Sequence, residues 1–320
     1  MKLTPSFVKR IENLYDIGKV ISYKPFESGI VNHNFDTKTT KGNYVLRFLG
    51  NQLDSYKQFQ SDLEFEVLNH LKEKGYPYAI PVPLVDNKGR QLSRVYNKPF
   101  WVYEKISGTA SHKGNPVRVR ELASALAHYH NAVRDFKFDR NHRYAYSLDW
   151  AKRNHASIRL GAVKNDADKL LVENYERIGK ILKRLDSVDF RKGLTITHSD
   201  FGYHNVLFKG DKIVGVLDFD GVQIAPLAND LAKSVSYSCM GEGVLNRRAY
   251  NNFLAQYRKI ANLPKTQEKL IFPLILGNAA ANFLWHYNTM KKATDKREYF
   301  MGHQLKRINA MSKELGWSIK

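Results

Sequence analysis

The stretch THSDFGYHNVLFKGDKIVGVLDFD, from Thr197 to Asp220, constrains the chain more than any other. Two short apolar runs, Val206-Leu207-Phe208 and Lys212 to Leu217, meet across Gly210-Asp211, a pattern that predicts a β-hairpin. In an antiparallel hairpin the residue before the first strand lies beside the residue after the second. Asn205 and Asp218 are therefore expected as neighbours, and Asp200 sits in a loop that can curl back to the same end. A carboxamide oxygen and two carboxylates are hard ligands. They suit magnesium, which keeps several waters and takes its remaining ligands from phosphates. His198 ends a buried apolar run and reads as a loop brace. Asp230, in Asn-Asp-Leu-Ala ahead of a helix, reads as a cap or brace.

Around this stretch the texture changes twice. The first third is β-rich: Gly42 to Leu49 (GNYVLRFL) is a strand of β-branched and aromatic residues. Pro83 to Ile106 predicts strands separated by turns at Asn87-Lys88-Gly89 and Asn97-Lys98-Pro99. Between them, Leu63, Val67, Leu68 and Leu71 recur at helical spacing, and Gly75 follows as a stop. Ser107 to Pro116 is a linker by composition, and Val117 to Val133 is an amphipathic helix. Charged helical material runs on to Arg184, and helical periodicity dominates from Asn229. This layout predicts an N-terminal lobe over 1–106, a linker over 107–116 and a C-terminal lobe over 117–320.

An apolar content of 43% with 26% charged residues is that of a soluble globular protein. The single cysteine, Cys239, excludes an intramolecular disulfide and fits a reducing cytoplasm. The opening residues lack the apolar core and small-residue cleavage site of a signal peptide. The most apolar segment, Leu270 to Trp285, is interrupted by Pro273, Asn278 and Asn282. It reads as a buried helix rather than a membrane span. The net charge of +20 favours anionic partners such as nucleotide phosphates. Basic residues scattered over solvated helix faces give the same sum. No aromatic-interleaved RNA motif is present, so nucleic acid is not the expected partner.

His-x-Asp-x-x-x-x-Asn followed by an apolar residue and Asp-x-Asp resembles the catalytic core of the aminoglycoside phosphotransferase and choline kinase superfamily. That superfamily has an α+β, protein-kinase-like fold with a small β-rich lobe and a large α-rich lobe. Further segments match in order: SGIVNHNF resembles its nucleotide-covering turn, NYVLRF its phosphate-contacting strand and LEFEVLNHL its charge-pairing helix. IPVPLVDNKG with KPFWVYEKISG resembles the hinge approach, and IAPLANDLAKS the segment after the metal aspartate. The pattern lies nearest the homoserine-kinase-like branch. The resemblance implies an ATP- and magnesium-dependent kinase. Asp200 would accept or orient the proton of the substrate hydroxyl, and Asn205 and Asp218 would hold magnesium. Asp220 would bind a second metal or its water, or else be a solvated turn carboxylate. Arg47 stands where the α- and β-phosphates are contacted, with Glu64 as its helix partner and Glu66 as the alternative. Alternation puts Val45 and Arg47 on one strand face and Leu46 and Phe48 on the other, without saying which is buried. Ser28 and Asn32 would bond phosphate, in what could equally be an ordinary hairpin turn. Backbone groups of Tyr103, Glu104 and Ile106 would meet adenine.

The acceptor is expected to be a small molecule with a hydroxyl. Tyr203 and His204, in the catalytic loop, are candidates to touch it, as are Asn282, Trp285 and His286 on a C-terminal helix. Trp285 with Tyr287 is either part of an aromatic cage for a quaternary amine or core packing. The resemblance favours a homoserine-like amino alcohol, with aminoglycosides, choline and sugars as alternatives. A non-catalytic nucleotide- or RNA-binding protein on a kinase scaffold is the reading from another class. The chain is expected to act as a monomer or homodimer.

Overall fold

The computed structural model describes residues 3–26, 32–50, 55–111, 114–138, 147–241, 243–290 and 294–318. In chain order the elements are α1 (Pro5–Leu14), β1 (Val20–Pro25), β2 (His33–Thr39), β3 (Asn43–Phe48), α2 (Ser55–Glu73), β4 (Ser93–Val95), β5 (Lys98–Glu104) and β6 (Thr109–Ala110). Then come α3 (Pro116–Ala132), α4 (Ser147–Ser157), α5 (Asp166–Arg184), β7 (Leu194–Thr197), β8 (Val206–Lys209) and β9 (Lys212–Val216). The chain continues through β10 (Gln223–Pro226), α6 (Leu227–Ser238), β11 (Met240–Gly241), β12 (Val244–Leu245), α7 (Arg247–Arg258), α8 (Lys265–Glu268), α9 (Ile271–Thr289) and α10 (Thr294–Glu314). Two compact units result: residues 1–111 with 205–222, and residues 112–204 with 223–320.

The first unit is built on an antiparallel sheet of order β1-β2-β3-β5-β4. Period-2 alternation gives this sheet two chemically different faces. Tyr44, Leu46, Phe48, Phe100 and Val102 join Phe7, Ile11 and Tyr15 in one apolar cluster, with Phe48 stacked on Phe100 at 5.1 Å. Arg47 and its cross-strand partner Trp101 occupy the other face, where Phe65 of α2 meets Trp101 edge-on at 5.4 Å. Leu63, Val67, Leu68 and Leu71 of α2 are all buried, as their spacing predicts. The hairpin β8–β9 turns through Gly210 at φ 62, the left-handed conformation that tight hairpins require of their first central residue. Its strands take β6 as a third partner, and Ala79 bridges in parallel to Gly215. A Cβ at Gly215 would fall 2.7 Å from the Ile106 side chain, so only glycine permits this approach.

Several local expectations need correction. Pro83 to Asp86 is not a strand; a single backbone bond, Leu84 N–H to Val102 O at 2.8 Å, ties it to the sheet. The turn between β4 and β5 is centred on Tyr96 and Asn97, both left-handed. Lys98 and Pro99 already belong to β5. The linker by composition contains β6. Helix α1 is not anticipated by periodicity, yet Thr4 caps it and Pro5 opens it, the usual chemistry of a helix start.

In the second unit α9 supplies the deepest core. Ile271, Leu274, Ile275, Leu276, Phe283 and Leu284 are buried, and α9 packs against α4, α5, α6 and α10. The most apolar segment is therefore a buried helix, as its sequence predicts. Among the described residues no helix is long and apolar enough to cross a membrane. Helix α3, capped by the Asn115 side chain, packs on α7. The β7–β10 pair, with Thr197 opposite Gln223, holds the strand that leads into the loop 198–204. Helix α6 lies against β7.

Candidate active site

In the first unit the buried centre is Arg47. Its Nη2 donates to Asp218 Oδ1 at 2.8 Å and to Asp220 Oδ2 at 2.9 Å. The register of β3 against β5 and the alternation of β3 put this side chain on the α2 face of the sheet, which settles the facing that alternation alone leaves open. Burial works against the guanidinium's charge, but Glu64, Asp218 and Asp220 outweigh it and hold the group firmly protonated. Glu64 is buried too. Desolvation pushes its carboxyl up to about 8, against the pull of Arg47 and with the repulsion of Asp220 and Asp218. No hydrogen bond closes between Arg47 and Glu64 among the described residues. Arg47 Nε and Glu64 Oε1 are both buried without a hydrogen-bond partner. Arg47 gives its Nη2 to both aspartates instead.

The hairpin delivers those aspartates. Leu217 N–H donates to Asn205 O at 2.8 Å, so Asn205 and Asp218 flank the same end of the β8–β9 ladder. Asp218 is left-handed, with φ 63 and ψ 61. That conformation is uncommon outside glycine and turns the chain sharply away from β9. Asp220 accepts from Asn32 Nδ2 at 3.0 Å, and Asn32 Oδ1 accepts from Gly50 N–H. The side chains of Asp218 and Asp220 are 40% and 43% exposed, so both carboxylates stay open to solvent beside the guanidinium. Among the described residues no three His, Cys, Asp or Glu side chains gather into a complete metal cage. Two carboxylates and a carboxamide fit a magnesium ion whose other ligands are waters and phosphate oxygens.

In the second unit the centre is Asp200. His204 Nε2 lies 3.1 Å from its Oδ2, and the Tyr237 hydroxyl donates to its Oδ1 at 2.9 Å. Burial would raise the Asp200 carboxyl, but His204, Lys233 and Tyr237 overcome it and hold the group well below the usual carboxylate range. Asp200 is thus a fixed, ionised acceptor. Helix α6 aims the whole loop. Asp230 accepts the backbone N–H groups of His198 at 2.9 Å and Ser199 at 2.6 Å, and its Oδ2 contacts His130 Nε2 at 3.1 Å. Ser234 donates to Phe201 O at 2.6 Å. Ser199, left-handed at φ 64, is steadied by Gln223 Nε2 at 2.7 Å. His198 packs edge-on against Phe201 and Tyr129 and accepts from Asp200 N–H at 3.3 Å, the bracing its position predicts.

The other expected residues are placed as follows. Ser28 lies outside the described residues. Glu66 is on the exposed side of α2. Tyr103 is buried opposite Val45, and Glu104, exposed, ends β5. Ile106 packs on the hairpin at Gly215. Tyr203 is buried, with its ring against Gly114. Asn282 is half-buried on α9 and Trp285 is exposed. His286 stacks on Phe300 at 5.0 Å, and burial, with help from Arg307, brings its pKa down to about 4. Tyr287 donates to Asp168 and lies under the Arg297 guanidinium. Residues two apart on a helix do not face one another, so Trp285 and Tyr287 make no shared cage. Sequence reasoning missed Lys233 and Tyr237. Their spacing from Asp230, three and seven residues on, marks one face of α6, but nothing local says what that face meets.

A model of the phosphotransferase enzyme family matches residues 22–267. The sequence is 29% identical over 273 residues to a homoserine kinase of Parvibaculum lavamentivorans, covering 84% of this chain and 81% of the relative. It is 28% identical over 319 residues to a homoserine kinase of Methylobacterium nodulans, covering 95% and 94%. Among solved structures, a microcompartment-associated aminopropanol kinase superposes with a TM-score of 0.71 at 14% identity over 99% of both chains. A spectinomycin phosphotransferase in complex with ADP and spectinomycin superposes with a TM-score of 0.69 at 13% identity, over 96% of this chain and 98% of the other. These two likenesses establish the protein-kinase-like α+β fold.

Proposed function

Since this chain belongs to the phosphotransferase enzyme family and is a small-molecule kinase acting on hydroxyl groups, we propose that its donor is ATP with magnesium and its acceptor a homoserine-like amino alcohol. The acceptor reading is supported by homoserine kinases that match along 84% and 95% of the chain. The donor reading is carried by one observation: Arg47 draws Asp218 and Asp220 onto a single guanidinium nitrogen. Two half-exposed carboxylates held this close need a cation. Magnesium bound there with Asn205 would neutralise the charge of the donor's terminal phosphates. Arg47, with Nε unpartnered and Glu64 nearby, would be the residue to meet the donor phosphates. Asn32 holds Asp220 in place.

Asp200 does the remaining work. Its two oxygens are fixed by Tyr237 and His204, so its charge is aimed before the acceptor arrives. It accepts a hydrogen bond from the acceptor hydroxyl, orients the oxygen and takes the proton as the new P–O bond forms and the bond from the γ-phosphorus to the departing ADP oxygen breaks. Its low pKa makes it a weak base. That suits a loose phosphoryl-transfer transition state, in which positioning matters more than early proton removal.

The test is direct. Purified protein with ATP and magnesium is given homoserine, choline, hexosamines and aminoglycosides, and ADP release is followed with phosphorus NMR of the product. Homoserine-stimulated ADP release with a phosphate monoester is expected. Release stimulated by none of them contradicts the acceptor assignment, and release without magnesium contradicts the donor assignment.

A further inference from the structure

Two cations gather around Tyr237, the side chain that donates to Asp200, and neither closes a salt bridge among the described residues. Lys233 lies on the same face of α6 as Asp230 and Tyr237, within the fields of Asp200, Asp230 and Arg307. Among the described residues it makes no hydrogen bond or ion pair. Both nearby carboxylates are already engaged. Asp230 holds two backbone N–H groups and His130, and Asp200 holds Tyr237 and His204. Arg307, on α10, sits over the Tyr237 ring at 5.6 Å. Its Nη2 reaches Ser236 O and its Nη1 reaches Gln304 Oε1, both at the 3.5 Å limit of hydrogen bonding. Its Nε is buried with no partner at all. Burial lowers the pKa of both groups, and the fields of Asp200 and Asp230 at Lys233 offset it only in part. Both side chains are half-buried, and a desolvated cation without a salt bridge is destabilising, so the pair around Tyr237 points to a ligand that supplies the missing anion.

We propose that Lys233 and Arg307 form an anion subsite that binds a carboxylate of the acceptor and so selects hydroxy acids over amino alcohols lacking that group. The inference rests on Asp200 being the residue that meets the acceptor hydroxyl. An acceptor carrying both groups is then held at two points, the hydroxyl on Asp200 and the carboxylate on the guanidinium and ammonium. A fork-shaped guanidinium with a free Nε matches a carboxylate's two oxygens. The same pair of cations repels polycationic aminoglycosides and leaves its own desolvation uncompensated when a neutral or cationic alcohol binds. Discrimination by such an arrangement comes mostly from the buried groups left unpaired by the wrong substrate.

L-homoserine and 3-aminopropan-1-ol share the hydroxyl and the amine and differ by the carboxylate. Their kcat/KM ratio and their affinities by calorimetry are measured for the wild type, Lys233→Met, Arg307→Met and the charge-retaining Lys233→Arg and Arg307→Lys. The wild type is expected to favour homoserine, and each methionine variant to lower that preference roughly 10- to 10²-fold, the worth of a hydrogen bond to a charged group. The loss should fall on the KM for homoserine rather than on the KM for ATP, and the charge-retaining variants should recover part of it. Equal use of both compounds by the wild type overturns the subsite, as does a preference that survives in the methionine variants. A rise confined to the KM for ATP also overturns it, since the anion is then a donor phosphate. Calorimetry separates this inference from the kinase reading. Lys233-dependent homoserine binding without turnover leaves the subsite standing and fails the assigned reaction, whereas absence of homoserine binding fails the subsite itself.

Discussion

The two acidic centres of this chain hold their charge in opposite ways. In the first unit, Asp218 and Asp220 converge on the buried Arg47 guanidinium, with the carboxyl of Glu64 pushed upward by burial nearby. In the second, Asp200 is held by a tyrosine hydroxyl and a histidine nitrogen and kept ionised. The first arrangement pairs two half-exposed carboxylates with the protein's own guanidinium, which a metal ion would replace in the proposed reaction. The second is a fixed negative charge aimed by hydrogen bonds from side chains on α6 and its own loop. One centre is an ion pair of charged groups, and the other a single charge held by hydrogen bonds.

The largest expected effect falls on the second centre. Asp200→Asn keeps the shape and can still accept from Tyr237, but removes the charge. Turnover should fall by roughly 10²- to 10⁴-fold, the span attributed to a positioned proton acceptor. A variant with wild-type kcat would erase the contrast between the centres. Next, Asp230→Ala withdraws the acceptor from two backbone N–H groups and His130. A loss of about 3–5 kcal/mol in urea unfolding is expected for breaking such a buried network. A loss under about 1 kcal/mol would show that α6 does not aim the loop. The smallest effect sharpens the first centre. Burial raises the folded-state pKa of Glu64 to about 8 from its ordinary value of 4.5, so the folded state binds a proton that the unfolded state releases. Its contribution to stability is complete below about pH 4.5 and is lost as pH rises towards about 8, at up to about 1.4 kcal/mol per pH unit. Glu64→Gln should flatten that slope in denaturation midpoints taken from pH 5 to 8. An unchanged slope would place the titration elsewhere.

What the sequence could disclose follows from the range of the forces involved. The hairpin is legible because its turn, Gly210-Asp211, and its two apolar runs are local. The stripe of α2 and the buried character of α9 are legible because periodicity records burial directly. The facing of Arg47 is not, because both faces of β3 meet protein, α1 with its aromatics on one side and α2 on the other. Tyr96 and Asn97 lie one position ahead of the Asn-Lys-Pro signal, and only the pairing of Arg94 with Pro99 reveals the true centre of that turn. Helix α1 carries its start signal in Thr4-Pro5 and is missed when periodicity alone is consulted. Lys233 and Tyr237 share a helix face with Asp230, but their significance depends on a loop some thirty residues away in sequence. The homoserine-like branch is legible from ordered motifs and accords with the curated relatives. The packing of α9 against α6 and α10 is likewise long-range, and no local pattern encodes it.

The comparison between the centres is tested most directly by titrating a magnesium–nucleotide complex, non-hydrolysable ATP analogue included, into Asp218→Asn and Asp200→Asn side by side in a calorimeter. The expected result is a split: Asp218→Asn loses the magnesium-dependent part of nucleotide affinity, while Asp200→Asn binds nucleotide as the wild type does. Equal binding by both variants, with and without magnesium, would contradict the assignment of Asp218 to the cation.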